Sequence, residues 1–309
     1  MSRVVGRFAP TPSGRLHLGN LLCALIAYLS VRSRDGRFLL RIEDLDAPRC
    51  PRTLAKQAMD DLSLLGIIWD EAPLYQSERS DIYLSCYKKL EEKGLLYPCF
   101  CSRAQLHAVA AAPNRGDNAP VYAGTCARLT PEEIAAKRKL RSPAMRLRVP
   151  DEVIGFDDLH YGHYEEDMPR DCGDFIVRRS DGLFGYQLAV VVDDALSGVN
   201  EVVRGWDILP STPRQMYIQR LLGYPHPAYA HSPLLEDPQG RRLAKRDGDL
   251  DLTQLSKRFT REELLGMLAF SAGILPENRP CSMEELIRVF DWKNVRKDDI
   301  RLPENILAE

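Results

Sequence analysis

Two stretches far apart in the chain carry residues fit to hold a polyphosphate. FAPTPSGRLHLGN, residues 8–20, sets two prolines, two glycines and His17 in a bend ahead of an apolar run. A strand that runs into a Gly/Pro turn and then a helix aims backbone N–H groups, and the positive end of the helix dipole, at the space above the sheet edge. Gly14 and Gly19 would let the backbone approach a ligand there, and His17 could donate to a phosphate oxygen. On spacing alone, a histidine simply packed at a helix start reads equally well. RRLAKRDGD, residues 241–249, places Lys245 in a turn-rich segment, which taken alone is an ordinary exposed basic loop. Neither stretch is GxxxxGK[ST] or GxGxxG, so the P-loop and dinucleotide fingerprints do not apply.

A third group is Cys99, Cys101 and Cys126, three thiolates and so one ligand short of a closed structural zinc site. His107 is a fourth ligand on generic grounds. The other cysteines, at positions 23, 50, 86, 172 and 281, are scattered and read as small hydrophobes rather than a disulfide framework.

The elements that must position these groups follow from periodicity. An apolar strand at 4–8, a helix from Leu18, a strand at 37–44 and helices over 51–66 and 77–94 give the rhythm of a parallel α/β sheet. Residues 97–169 break that rhythm and read as an insertion holding the cysteines, a helix opened by Thr130 and Glu133, and the basic run KRKLRSPAMRLR at 137–148. That run is the candidate RNA contact. From Asp174 the β pattern returns in DFIVRRSDGLFGYQLAVVVDD, where SDG suits a hairpin, and VNEVVRG is a further strand. Thr212, Pro213 and Gln215 read as the cap of the next helix. Two short helices near the end open with Thr260/Glu263 and Ser282/Glu285 capping boxes. The domain division expected is a split catalytic domain at 1–96 and 170–225, an inserted subdomain at 97–169, and a loop-plus-helical portion at 226–309.

At 309 residues, with 44% hydrophobic and 28% charged residues and a net charge of -2, the chain is that of an ordinary globular protein. It is not one that coats nucleic acid indiscriminately. It has no apolar run of the roughly 18 residues a bilayer requires and no secretory leader, so a cytoplasmic location and no membrane partner are expected.

Together the two loops resemble the paired signatures of the class I aminoacyl-tRNA synthetases, LHLGN for the HIGH element and RLAKR for the KMSKS element. GRFAPTPSGRLHLGN followed by FLLRIEDLDAPR is similar to the glutamyl subgroup, over residues 3–249. The chain departs from the usual pattern at Arg242, at Ala244 and at Asn20, the last position of the HIGH element. The resemblance implies a Rossmann-like parallel sheet with an inserted zinc-bearing subdomain and a small helical C-terminal portion. It implies a ligase that turns ATP into AMP and pyrophosphate while activating L-glutamate. His17 and Lys245 would be catalytic; Gly14, His17, Gly19, Asn20 and Lys245 would bind ATP, with Mg²⁺ arriving on it. Arg7, Phe8, Ala9, Pro10, Thr11, Glu43, Tyr186 and Arg204 would bind glutamate. The short paralogues use a tyrosine four residues before the third cysteine, which implies zinc on Cys99, Cys101, Tyr122 and Cys126; Arg128 stands where other members supply histidine.

After Lys245 there is too little chain for an anticodon-binding domain of about 100 residues or more. The resemblance therefore narrows to the glutamyl-queuosine tRNA(Asp) synthetase family, which RIEDLDAPR also fits. It implies transfer of glutamate to the cyclopentene-diol of queuosine at the wobble position of tRNA(Asp), by a protein acting as a monomer. The alternatives are a catalytic core charging tRNA(Glu) and a nucleotide- or RNA-binding module without catalysis.

Overall fold

The computed structural model describes residues 3–102, 105, 121–241 and 252–302. Strand β1 (Val5–Phe8) pairs in parallel with β2 (Arg37–Ile42), and β2 with the short β3 (Leu74–Tyr75). Parallel neighbours need a crossover, and α1 (Leu18–Arg32) supplies it. Its run LLCALIAYL is buried on nearly every side, as befits a helix that is apolar all round and so belongs in the core. On the other flank of β1 lies β9 (Glu201–Gly205), joined by the Asn200 N–H to Val5 O at 3.0 Å and paired in parallel with β10 (Ala228–Ser232). The winding therefore reverses between β1 and β9. In open α/β sheets the crevice at the carboxyl ends of the strands, at such a reversal, is where ligands bind.

Helix α2 (Arg52–Leu64) and helix α3 (Ser80–Glu92) follow β2 and β3. Beyond them β4 (Leu96–Cys99), β5 (Ala144–Leu147) and β8 (Phe175–Arg178) form an antiparallel sheet, and α4 (Pro131–Leu140) opens with the reciprocal Thr130/Glu133 cap read from the sequence. Hairpin β6 (Val153–Asp158) and β7 (Gly162–Asp167) is pinned to β10 by Phe156 against Tyr229, ring centroids 5.5 Å apart. Near the C-terminus the pair β11 (Leu235–Glu236) and β12 (Ile300–Arg301), with α7 (Leu252–Leu255), α8 (Arg261–Ser271) and α9 (Met283–Val289), encloses the main core around α1. The Thr260/Glu263 box closes as expected; at Ser282 only one half forms, because Glu285 turns to Arg279. Among the described residues, no helix is long and apolar enough to cross a membrane.

The hairpin expected from Asp174 is a strand, one bridge and a helix. Arg179 N–H donates to Leu183 O (2.7 Å) around Gly182, Arg178 bridges Phe184, and the Val-rich second arm is α5 (Tyr186–Leu196). β-Branched residues favour strands only weakly, and tertiary burial overrides that preference. Here a helix sinks Leu188 to Val192 in the core while its last turn presents Asp193 and Asp194 to buried cations. Thr212 also differs from expectation. Helix α6 (Ser211–Leu222) begins after Pro210 with no side-chain cap, and the Thr212 hydroxyl turns inward to Arg204.

Gly185, just before α5, lies so close to β8 that a Cβ there would stand 2.6 Å from Ile176 O and 3.2 Å from Val177 Cα. Backbone cannot yield as a flexible side chain can. Gly185→Ala is expected to destabilise the protein by about 1–3 kcal/mol in urea unfolding, the ordinary cost of overpacking.

Candidate active site

A cavity of about 360 Å³ opens at the carboxyl ends of β1 and β9, where the winding reverses. Its wall is Arg7 to Thr11 and Ser13 from the end of β1 and the loop, His17, Gly19 and Asn20 from the start of α1, Glu43 after β2, Tyr186 from α5, and Val203 to Gly205 from β9. Of the residues singled out from the sequence for glutamate and ATP, Gly14 lies outside the lining and Lys245 falls outside the described residues, as do Arg242, Ala244 and His107. All the others line the one cavity.

At the loop, His17 is the N-cap of α1: its Nδ1 accepts the Gly19 N–H (3.1 Å), and Asn20 Oδ1 accepts the His17 N–H (3.3 Å). With Nδ1 an acceptor, the neutral ring carries its proton on Nε2, a donor. His17 is thus the packed cap that the sequence allowed, and it also lines the cavity. Gly19 favours this arrangement, since a Cβ there would stand 3.0 Å from the imidazole and push it by a few tenths of an ångström. The first turn of α1 holds no acidic side chain to neutralise the positive end of its dipole, although the Gly19, Asn20 and Leu21 N–H groups already donate to His17.

Below the loop lies a layer of buried charge. Arg7, 5% exposed, donates from Nε to Asp194 (3.2 Å) and from Nη1 to Val203 O (3.0 Å); its Nη2 has no hydrogen-bond partner among the described residues. Arg41 pairs with Asp194 and with Glu43 (3.2 Å). Asp193 accepts from Gln76, Arg79 and Tyr83 at 2.7–2.8 Å. Burial alone would raise Asp194, yet the Arg41 and Arg7 guanidiniums hold its carboxyl below the usual range. Glu43 goes the other way, raised by burial despite Arg41, and Thr11 Oγ1 lies 3.5 Å from it. Arg204, 4% exposed, is held at three nitrogens by His231, Gln215 and Thr212. The cavity thus offers two fixed guanidiniums, the carboxylates of Glu43 and Asp207 and a helix N-terminus, which suits a ligand with carboxylates, an ammonium and a phosphate.

Sequence reading missed Arg41, Asp193, Asp194, Thr212, Gln215 and His231. One signal was present: two adjacent aspartates after an apolar run, VVVDD, mark acids entering a core and needing partners.

In the second site, the sulfurs of Cys99, Cys101 and Cys126 lie within 4.8 Å of one another and could hold a metal ion. Tyr122 Oη stands 3.5 Å from Cys99 Sγ and 3.9 Å from Cys101 Sγ, and Cys101 Sγ is 3.6 Å from Cys126 Sγ. Burial and the neighbouring thiols push Cys101 up to about 11, whereas Cys99 is held below its ordinary value, against burial, by Arg146 and Tyr122. This corrects the reading of the basic run. Arg146 is buried, its guanidinium 3.7 Å over the Tyr122 ring, with Nη1 on Asp174 O (2.6 Å). Arg148 stacks on Tyr97 (4.5 Å) and bonds Ala127 O (2.8 Å). Both arginines build the fold. Only Lys137 to Ser142 of the run is exposed.

Residues 3–302 match the family model described as tRNA synthetases class I (E and Q), catalytic domain. The chain is 48% identical over 98% of its length to the Glutamyl-Q tRNA(Asp) synthetase of Symbiobacterium thermophilum, covering 97% of that relative. It is 42% identical, over 98% and 96%, to the one of Nitratidesulfovibrio vulgaris. Among solved structures, the glutamate tRNA ligase of Elizabethkingia meningosepticum in complex with its amino acid superposes with a TM-score of 0.81 at 27% identity, over 99% of this chain and 68% of that one.

The charge layer makes a pH prediction. A carboxylate whose pKa is lowered by folding stabilises above its unfolded value and loses that contribution as pH falls through the folded one. Asp194→Asn should therefore cost about 3–5 kcal/mol in urea unfolding at neutral pH, by stranding Arg7 and Arg41. The gap to wild type should narrow below about pH 4, where the unfolded aspartate titrates. Glu43, raised instead, opposes this slope, since its protonation favours the folded state as pH falls.

Proposed function

The chain belongs to the class I tRNA synthetases (E and Q) and, within them, to the glutamyl-Q tRNA(Asp) synthetase family; from that premise we propose that it activates L-glutamate with ATP, without tRNA, and transfers it to the cyclopentene-diol of queuosine in tRNA(Asp). It is a ligase of the aminoacyl-tRNA synthetase type. The observation that carries the substrate reading is the convergence of Arg7, Arg204, Glu43 and His17 on one cavity at the strand ends.

In this reading the free Nη2 edge of Arg7, backed by Arg204, receives the side-chain carboxylate, Glu43 with Thr11 the ammonium, and Tyr186 closes the wall. The glutamate α-carboxylate oxygen attacks the α-phosphorus of ATP, and the bond to the β-phosphate breaks, releasing pyrophosphate. No residue need take or give a proton in that step. Catalysis would rest on groups that meet the charge gathering on phosphoryl oxygens: the positive end of the α1 dipole, His17 Nε2–H and, from the KMSKS-like loop, Lys245. Mg²⁺ bound with ATP would spread that charge further. A queuosine hydroxyl then attacks the acyl carbonyl and AMP leaves. Exposed Lys137, Arg138, Lys139 and Arg141 are the RNA contact that remains of the basic run.

The test pairs two assays. Glutamate-dependent exchange of pyrophosphate into ATP is expected without any tRNA, and labelled glutamate is expected to pass to tRNA(Asp) only when it carries queuosine. Exchange that requires tRNA, or equal transfer to the unmodified tRNA or to tRNA(Glu), would overturn the reading.

The thiol cluster fits zinc. A tetrahedral ion with Zn–S of about 2.3 Å and Zn–O of about 2.0 Å sets sulfurs about 3.8 Å apart and sulfur and oxygen about 3.5 Å apart. The Cys101–Cys126 and Cys99–Tyr122 separations of 3.6 and 3.5 Å are close to those values. Cys99, Cys101, Tyr122 and Cys126 would hold the ion, which would tie β4 to the segment before α4. Plasma emission analysis of the purified protein is expected to give one zinc per chain, falling well below one in Cys126→Ser. Wild type without zinc would refute the assignment. The proposal keeps the division at 1–96 with 170–225, 97–169 and 226–309, and a monomer.

A further inference from the structure

We infer that His231 and Asp158 are positioning residues for the carboxylate-binding Arg204, and that the protonation pattern of this chain of hydrogen bonds sets how well the cavity takes its amino acid. The inference rests on the assignment of Arg204 to the glutamate pocket.

Arg204 and His231 are register partners on the parallel strands β9 and β10, so their side chains share a face. Arg204 Nε lies 3.0 Å from His231 Nε2, and His231 Nδ1 lies 2.6 Å from Asp158 Oδ2. His231 is 0% exposed and Asp158 is 4% exposed. An arginine Nε can only donate, so His231 Nε2 must accept. The ring is therefore neutral with its proton on Nδ1, which donates to Asp158. Burial drives the same way, lowering His231 to about 4. The other Asp158 oxygen, Oδ1, accepts the backbone N–H of His160 (2.9 Å), Tyr161 (2.9 Å) and His231 (3.3 Å). Every atom of the chain thus has a forced role, and it connects the β6–β7 hairpin to the wall of the cavity.

The forced roles make Asp158→Asn informative. Three N–H donors converge on Oδ1, so the amide oxygen must occupy that position and the NH₂ must face His231 Nδ1. The ring must then accept at Nδ1 and carry its proton on Nε2, pointing at the Arg204 Nε–H. Two donors face each other in a dry site, and Arg204 has to shift. Asp158→Ala removes more contacts but imposes no tautomer, so Nδ1–H can persist and Arg204 can stay.

The test combines pyrophosphate exchange kinetics with ¹⁵N-histidine NMR, in which the His231 signal is identified by its loss in His231→Gln. Wild type is expected to show the Nδ1–H tautomer at neutral pH and Asp158→Asn the Nε2–H tautomer. In Asp158→Asn the KM for glutamate should rise about tenfold or more, the usual consequence of a buried donor left without an acceptor, while the KM for ATP stays within about twofold. Asp158→Ala should raise the glutamate KM less than Asp158→Asn although it unfolds at lower urea. A merely structural role gives the opposite order. A wild-type ring protonated at Nε2, an unchanged glutamate KM in Asp158→Asn, or KM effects that follow stability would overturn the inference. Wild type lacking glutamate-dependent exchange would instead remove the substrate assignment, and the tautomer measurement would still decide the hydrogen-bond chain.

Discussion

The pairing of Arg7 and Arg41 with Asp194 beneath the strand ends is the constraint on which the rest of the site depends. Each of these charges is almost fully out of water, where an unpaired ion costs several kcal/mol. Strand register supplies half of the solution. Arg7 lies opposite Leu39, so Arg41, two residues further along β2, points to the same face. A one-residue slip would turn Arg7 to the other side of the sheet. The last turn of α5 supplies the other half by bringing two aspartates to that face, and because Asp193 is taken by Arg79, Gln76 and Tyr83, Asp194 is left for the arginines. Arg7 is thereby held on one edge and presents the other to the cavity.

The loop above obeys a similar economy of donors and acceptors. A helix start leaves N–H groups without intrahelical partners. Using His17 as the cap satisfies one of them and fixes the ring tautomer in the same contact. The small residue at position 19 serves the same contact: a Cβ there would press on the imidazole over the first turn and strain the cap. Glu43 N–H donating to Pro10 O at 3.0 Å then ties the loop to the end of β2, so the groups assigned to the amino acid and to the nucleotide share one rigid rim.

Much of this was legible beforehand, and the reasons differ by residue. The loop of 8–20 announces itself as a strand-to-helix bend through its Gly and Pro residues, although spacing alone left His17 equally a packed cap. Cys99, Cys101 and Cys126 stand out because thiols in a short span invite a metal, and their sulfurs do converge. The basic run shows the limit of composition. Six cations in twelve residues look like one RNA-contacting face, but β5 lies within a sheet, so Arg146 is buried over Tyr122 while Lys137 to Arg141 stay outside. Likewise Val190 to Val192 read locally as strand and fold as helix, because only a helix of that length sets Asp193 and Asp194 against cations contributed by residues 7, 41 and 79.

By itself the sequence determined which groups were available and near which turns: a capped helix start after β1, an arginine at the end of that strand, a three-thiol span, and acids at the end of an apolar run. These follow from local rules, since turn geometry, capping and side-chain periodicity act over a few residues. Tertiary structure alone decided partnership. Asp158, Arg204 and His231 are scattered along the chain and meet only because β10 lies between β9 and the β6–β7 hairpin. A buried polar group must find a complementary donor or acceptor wherever the fold places one, so the identity of that partner is a property of the whole packing and of no single stretch.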